Sequence, residues 1–134
     1  MSLGGLSMPL PTGNLFAELP SPQAGEVFAD LLRLDLKPGQ AGGQVWIERI
    51  VSSATPEPVL YDQPQDEWVV LLQGRARLWV DGAERVLGPG DYLFIPAHTQ
   101  HRVLETSVEP RCVWLAVHID RGGSREATPQ TGKP

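Results

Sequence analysis

The fold is decided by two stretches, Asp66-Glu67-Trp68-Val69-Val70-Leu71-Leu72-Gln73-Gly74 and Gly90-Asp91-Tyr92-Leu93-Phe94-Ile95-Pro96-Ala97-His98-Thr99-Gln100-His101-Arg102-Val103. Each contains an apolar strand that begins or ends on a side chain able to bind a metal, Glu67 in the first and His101 in the second. In a small β-barrel, such strands bring side chains from distant parts of the chain to one interior point. The two stretches therefore predict a barrel and the place of its site.

Further short strands are predicted on both sides of these stretches, because β-branched and aromatic residues recur between turn residues. They are expected at residues 26–36, 44–51, 59–61, 67–73, 75–80, 92–95, 101–106 and 111–119. Asp81-Gly82 is the strongest turn signal, and a hairpin is expected around Gly74. The 14 Gly and 13 Pro leave only residues 26–36 long enough for a helix. The pattern predicts an all-β sandwich or barrel.

The length of 134 residues fits a single domain. We expect residues 1–20 to be a flexible leader with an edge segment, in which residues 14–19 form an edge strand or a single turn. Residues 21–120 are expected to form the barrel. Residues 121–134 are polar and rich in breakers, so they are expected to be a disordered tail.

Composition excludes several classes of function. The net charge of -5 without a Lys/Arg cluster argues against a nucleic-acid partner. No apolar run approaches the roughly 20 residues that cross a bilayer, and the N-terminus lacks the basic region of a signal peptide. Cys112 is the only cysteine, which excludes a disulfide framework and a thiolate zinc site. These absences favour a cytoplasmic protein that does not engage membranes.

The two stretches resemble the two signature motifs of the cupin family, whose members are double-stranded β-helix, or jelly-roll, barrels. Glu67, six intervening residues and Gly74 match the end of the first motif. Gly90, five residues, Pro96 and then His101 match most of the second. The resemblance implies a small, RmlC-like, single-domain cupin barrel.

The resemblance also implies a metal site, from which this chain departs. Counting back from Glu67, the two histidines of the first motif fall at Tyr61 and Gln63. Glu67 and His101 are the two family ligands retained in kind, with Gln63 or His118 as further ligands of a divalent ion such as Fe, Mn, Ni or Zn. The lost imidazoles are expected to weaken affinity for a transition metal.

The site can also be argued from strand alternation alone. Glu67, Val69 and Leu71 share one strand face, and Tyr61 and Gln63 have the same parity as Glu67. Inside an apolar barrel, an unpaired polar group costs roughly 1–3 kcal/mol. The pocket residues Tyr61, Gln63, Glu67 and His101 therefore need each other, water, a cation or a ligand.

Several of these residues have a structural alternative. Glu67 and His101 could form a buried pair in a barrel that has lost its metal, and Tyr61 could be a pocket wall. His118 could enter the cavity or be a satisfied core or interface histidine. His98 is expected to face solvent or to lie at the pocket mouth.

Three functions fit this site. The first is a barrel that binds or senses a small molecule without catalysis. The second is a metalloenzyme with an altered centre, such as a dioxygenase, isomerase or hydrolase. The third is a metal-free isomerase or epimerase in which His101, Glu67 and Tyr61 are the candidate catalytic residues.

A homodimer is the expected assembly, because small cupins commonly pair by sharing edge strands. Residues 68–72 and 113–119 are apolar on both faces, which fits such pairing.

Overall fold

The computed structural model describes residues 10–36 and 42–122. Within these residues the chain forms strands β1 (Glu26–Asp35), β2 (Gln44–Ser52), β3 (Asp66–Gln73), β4 (Ala76–Val80), β5 (Ala83–Leu87), β6 (Tyr92–Ile95), β7 (His101–Thr106) and β8 (Val113–Asp120). Of the predicted strands, residues 59–61 contribute only an isolated bridge between Tyr61 and His101.

Residues 1–9 of the expected leader and residues 123–134 of the expected tail lie outside the described residues. The division into leader, barrel and tail stays a prediction.

The strands form two sheets. Five strands pair in the order β1-β2-β8-β3-β6, three pair in the order β5-β4-β7, and all the pairs are antiparallel. The prediction of an all-β jelly-roll barrel is confirmed. In the part of the chain described here, no helix is long and apolar enough to cross a bilayer. The cytoplasmic location stays a prediction.

The core lies between the two sheets and follows from strand alternation. In β3 and β4 every second side chain points inward, so apolar residues from both sheets meet. The buried cluster consists of Ile50, Val69, Leu71, Ala76, Leu78, Val80, Leu87, Ile95, Cys112, Trp114 and Ala116. Five residues of this cluster also line the cavity described below: Ile50, Val69, Leu78, Ile95 and Trp114.

The predicted hairpin around Gly74 is wrong. Strand β3 pairs with β6 and β8, whereas β4 pairs with β5 and β7 in the other sheet. A hairpin would have placed the two apolar faces side by side, but burying both requires that they face each other across the core. The chain therefore crosses between sheets at Gly74, whose φ is 96°. The turn at Asp81-Gly82 does form a hairpin, with φ of 48° and 90°, and joins β4 to β5.

The strands expected to pair in a dimer are interior. Strand β3 lies between β8 and β6, and β8 lies between β2 and β3, so neither offers a free edge. Their outer apolar side chains are covered by neighbours instead, as where the Trp68 and Tyr92 rings pack 5.4 Å apart. Strand β1 is an edge of the larger sheet, paired on one side with β2.

Residues 14–19 adopt the turn rather than the edge strand. The backbone N–H of Ala17 donates to the Asn14 carbonyl at 3.0 Å, and the Phe16 N–H donates to the Asn14 side chain at 2.8 Å. The Arg49 guanidinium donates to the carbonyls of Leu15 and Ala17. These bonds attach the turn to β2.

Candidate functional site

A cavity of about 80 Å³ lies between the inner faces of the two sheets. All four predicted pocket residues line it, and so does His118. The full lining consists of Glu26, Phe28, Glu48, Ile50, Tyr61, Gln63, Glu67, Val69, Leu78, Ile95, His101, Val103, Trp114 and His118. Seven of these fourteen residues are apolar, and the other seven bring polar or charged groups to the cavity.

His101 is held in a fixed orientation at the start of β7. The backbones of His101 and Tyr61 exchange two hydrogen bonds, at 2.8 and 3.1 Å, and their rings stack with centroids 5.5 Å apart. The Nδ1 atom lies 2.9 Å from the Thr99 carbonyl, which can only accept, so Nδ1 carries the proton. When the imidazole is neutral, Nε2 is therefore the hydrogen-bond acceptor, and the ring lines the cavity.

Glu67 lies beside His101 without forming a hydrogen bond to it. Glu67 Oε1 is 3.9 Å from His101 Nε2, beyond hydrogen-bond distance, and accepts a bond from Gln63 Nε2 at 3.1 Å. The side chains of His101 and Glu67 are 8% and 10% exposed. Two buried acceptor groups thus face one space.

His118 also lines the cavity, but its two ring nitrogens are already engaged. Nε2 lies 2.8 Å from Glu48 Oε2, and Nδ1 lies 3.1 Å from the Gln65 side-chain nitrogen. The Trp46 ring stacks on the imidazole at 4.9 Å. His118 is therefore a satisfied partner of Glu48 in the cavity wall.

Two acidic residues of the cavity, Glu26 and Glu48, were missed in the sequence. Both lie on strands before the first motif, where the resemblance marks no site residues. Strand alternation could have identified Glu48 from the sequence, because Glu48 and Ile50 are two residues apart and share the inward face of β2. Glu26, on β1, lies opposite Ser52 of β2.

Glu26 belongs to a buried hydrogen-bond chain. The Trp114 indole N–H donates to Ser52 Oγ at 2.9 Å, and Ser52 Oγ lies 2.9 Å from Glu26 Oε2, to which it donates. Burial raises the pKa of Glu26; the Ser52 bond opposes this rise, and the nearby carboxylates, Glu57 first, add to it. The proton is therefore held more tightly here than on an exposed glutamate.

Tyr61 keeps its phenolic proton for a similar reason. Burial raises the pKa of Tyr61, and the charges of the neighbouring glutamates, Glu26 first, raise it further. The hydroxyl is therefore protonated at neutral pH and can donate a hydrogen bond.

His98 is separate from this cavity. Its side chain is half exposed, and Nδ1 lies 3.2 Å from Asp62 Oδ1. His98 is not among the lining residues. Of the two positions expected for it, the structure places it towards solvent.

The contacts do not fit the metal site that the resemblance implies. Within residues 10–36 and 42–122, no three His, Cys, Asp or Glu side chains are arranged to hold one metal ion. Gln63 directs its amide nitrogen, which cannot coordinate a cation, at Glu67, and His118 is bonded to Glu48. Glu67 and His101 alone are half of the family's usual ligand set.

Comparisons with known proteins identify relatives of the chain. The family described as Cupin domain matches residues 48–118, more than half of the 134-residue chain. A solved structure from Ralstonia eutropha JMP134, provisionally named a mannose-6-phosphate isomerase, is 44% identical in sequence. That match covers 81% of this chain and 97% of the other, with a TM-score of 0.67.

More distant structures share the fold alone. A protein of unknown function from Streptococcus pyogenes is 18% identical, with 92% of this chain and 98% of that chain covered and a TM-score of 0.66. KdgF from a Halomonas species is 18% identical, with 70% and 78% covered and a TM-score of 0.51. No curated protein sequence gives a significant match.

Proposed function

The chain belongs to the cupin family, and we propose that it binds a small organic molecule inside the barrel, between His101 and Glu67. The observation that carries the proposal is the pair of acceptors, His101 Nε2 and the Glu67 carboxylate, held 3.9 Å apart in a buried wall. A ligand that donates hydrogen bonds to both groups would form them inside the protein, where the low local dielectric makes such bonds stronger than in water.

The walls of the cavity suit an organic ligand. Phe28, Leu78 and Trp114 provide apolar surface around the polar pair, which is the usual composition of small-molecule sites. The volume of about 80 Å³ limits the part of the ligand that lies inside the cavity to a few non-hydrogen atoms unless side chains move.

Nuclear magnetic resonance of the His101 ring tests this proposal. We expect at least one of a set of small alcohols, amines and acids to shift the His101 resonances of the wild type, but not those of Glu67→Gln. Glu84→Gln is the matched control, since Glu84 is exposed on β5 and does not line the cavity. If no compound shifts the ring, or if Glu67→Gln responds like the control, the proposal is wrong.

Proton transfer is a second candidate function, favoured by the fixed tautomer of His101. In an isomerase or epimerase, Nε2 would take a proton from a carbon beside a carbonyl group, and the Glu67 carboxylate would stabilise the imidazolium that forms. The Tyr61 hydroxyl would donate to the carbonyl oxygen as it gains charge, and His101 would then return the proton.

The name of the 44% identical relative supports an isomerase, but the cavity does not suit its phosphorylated substrate. None of the lining residues is Lys or Arg, so a phosphate group would have no cationic partner there. The candidate is tested with hydroxyacetone in D2O. Wild type should exchange the protons beside the carbonyl and His101→Gln should not; equal exchange by the two proteins would exclude His101 as the base.

A metal-dependent enzyme is the competing assignment. It would require Glu67, His101 and Gln63 to coordinate Fe, Mn, Ni or Zn, against the contacts described above. Elemental mass spectrometry of protein purified without an affinity tag or chelator distinguishes the two. Near-stoichiometric metal in the wild type that is lost in Glu67→Ala would replace the metal-free assignment.

We also propose that the chain forms a homodimer through β1. This ten-residue edge strand exposes Val27, Leu32 and Leu34. A long apolar edge strand is prone to pair with another chain, and natural proteins usually cover it. A second copy of the same strand offers a matching apolar surface.

A further inference from the structure

The cavity has an excess of negative charge. Its lining contains three carboxylates, Glu26, Glu48 and Glu67, and none of its fourteen residues is Lys or Arg. Glu48 is bonded to His118, whereas the hydrogen bonds to Glu26 and Glu67 come from the neutral side chains of Ser52 and Gln63. Two carboxylates therefore face the cavity without a cationic partner in hydrogen-bond contact among the described residues.

Independently of the carboxylates, the cavity is lined by a further acceptor, the Nε2 atom of His101. The His101 side chain is more than nine-tenths buried, and its Nε2 has no donor within hydrogen-bond distance in the described part of the chain. Glu67 Oε2 likewise receives no bond there, because Gln63 donates to Oε1. The donors left on the lining are the Tyr61 hydroxyl and the second amide N–H of Gln63. A ligand that satisfies these atoms must bring donors of its own.

The apolar part of the lining also favours a cation. Three of the lining residues, Phe28, Tyr61 and Trp114, are aromatic. A cation near an aromatic face is attracted by the ring quadrupole, and the attraction is stronger when both groups are shielded from water.

We propose that the cavity selects a small primary ammonium ion over neutral and anionic molecules of similar size. The ammonium N–H groups donate to Glu67 and His101, and the carbon part of the ligand packs against the aromatic rings. This inference rests on the proposed ligand-binding function and adds the chemical class of the ligand.

At pH values near the raised pKa of Glu26, where this carboxyl group is partly protonated, binding of such a cation should be linked to proton release. The pKa of Glu26 is raised chiefly by burial, with smaller contributions from nearby carboxylates. A bound positive charge favours the ionised carboxylate and so lowers this pKa. The protons released on binding can be measured by calorimetry in buffers that differ in their enthalpy of ionisation.

Three compounds of similar size separate the charge classes: 2-aminoethanol, a cation at neutral pH, ethylene glycol, which is neutral, and glycolate, an anion. Each is titrated calorimetrically into the wild type at one ionic strength, set with potassium chloride. We expect 2-aminoethanol to bind about ten-fold or more tightly than ethylene glycol, because a hydrogen bond to a charged group is the stronger one. Glycolate should bind weakest.

Glu67→Gln keeps the shape of the side chain and removes its charge, so the preference for 2-aminoethanol should fall about ten-fold, whereas Glu84→Gln should keep it. An unchanged preference in Glu67→Gln would overturn the proposal. The wild-type series decides the matter even if Glu67→Gln fails to fold.

Equal or tighter binding of ethylene glycol or glycolate would overturn the ammonium selectivity and leave the ligand-binding function standing. No binding of any of the three compounds would overturn both.

Discussion

Replacing Gly74 by alanine is expected to destabilise the barrel more than the same replacement at Gly90. The two glycines have nearly the same φ, 96° for Gly74 and 91° for Gly90. A Cβ on Gly74 would lie 2.8 Å from Cys112 Sγ and 2.9 Å from Cys112 Cα, whereas a Cβ on Gly90 would meet nothing within 4 Å. The pair of variants therefore separates backbone strain from steric overlap.

The magnitudes follow from these two contributions. A side chain at positive φ costs about 1–2 kcal/mol, and both variants bear this cost. Overpacking a filled interior costs about 1–3 kcal/mol more, and only Gly74→Ala bears it, because Cys112 Cα is backbone and cannot rotate away. We expect a loss of about 2–5 kcal/mol for Gly74→Ala and about 1–2 kcal/mol for Gly90→Ala.

Urea unfolding followed by circular dichroism measures both losses. If Gly74→Ala loses no more unfolding free energy than Gly90→Ala, then the close approach of the sheet crossing to Cys112 does not constrain position 74. The proposed reason for a glycine at the end of the first motif would then be wrong.

Three further changes test the site and the edge strand. Glu48→Leu leaves the buried N–H of His118 without an acceptor and should cost about 1–3 kcal/mol in urea unfolding. Glu48→Gln keeps an acceptor for His118 and should lose less unfolding free energy than Glu48→Leu. Equal losses in the two variants would show that this hydrogen bond does not stabilise the fold. Because the pKa of Glu26 lies above 4.5 in the folded state, its protonation stabilises the fold at low pH, and this stabilisation is lost as pH rises through the raised pKa. Glu26→Gln should therefore be more stable than wild type above that pKa, with a difference that shrinks towards pH 4.5; parallel pH profiles would refute this. Leu34→Lys on the exposed face of β1 should convert the proposed dimer to a monomer in analytical ultracentrifugation, while Val86→Lys, at an exposed position of β5, should not; a monomeric wild type would exclude the dimer.

The two motif stretches carry enough information to predict the barrel, because each combines an apolar strand with a polar inward residue. Strand alternation predicts that Tyr61, Gln63 and Glu67 point to the same side of the barrel wall. In the structure, Glu67 Oε1 lies 3.9 Å from His101 Nε2. This part of the site depends on local alternation, which a single sequence contains.

The remaining features depend on pairings between distant residues. The hydrogen bond of His118 goes to Glu48, 70 positions earlier in the chain, so no local pattern could indicate that this histidine is engaged. The hairpin prediction at Gly74 failed for a related reason. Neighbouring strands with a glycine between them favour a hairpin locally, and only the need to bury both apolar faces places them in opposite sheets.

The position of Cys112 makes the separation of the two sheets measurable by chemistry. This single cysteine is fully buried beside Gly74, and its thiol donates to the Arg75 carbonyl at the sheet crossing. A thiol reagent can therefore react only when that corner opens. The rate of labelling in the native protein, compared with the rate in the unfolded chain, would give the free energy of this local opening without any engineered probe.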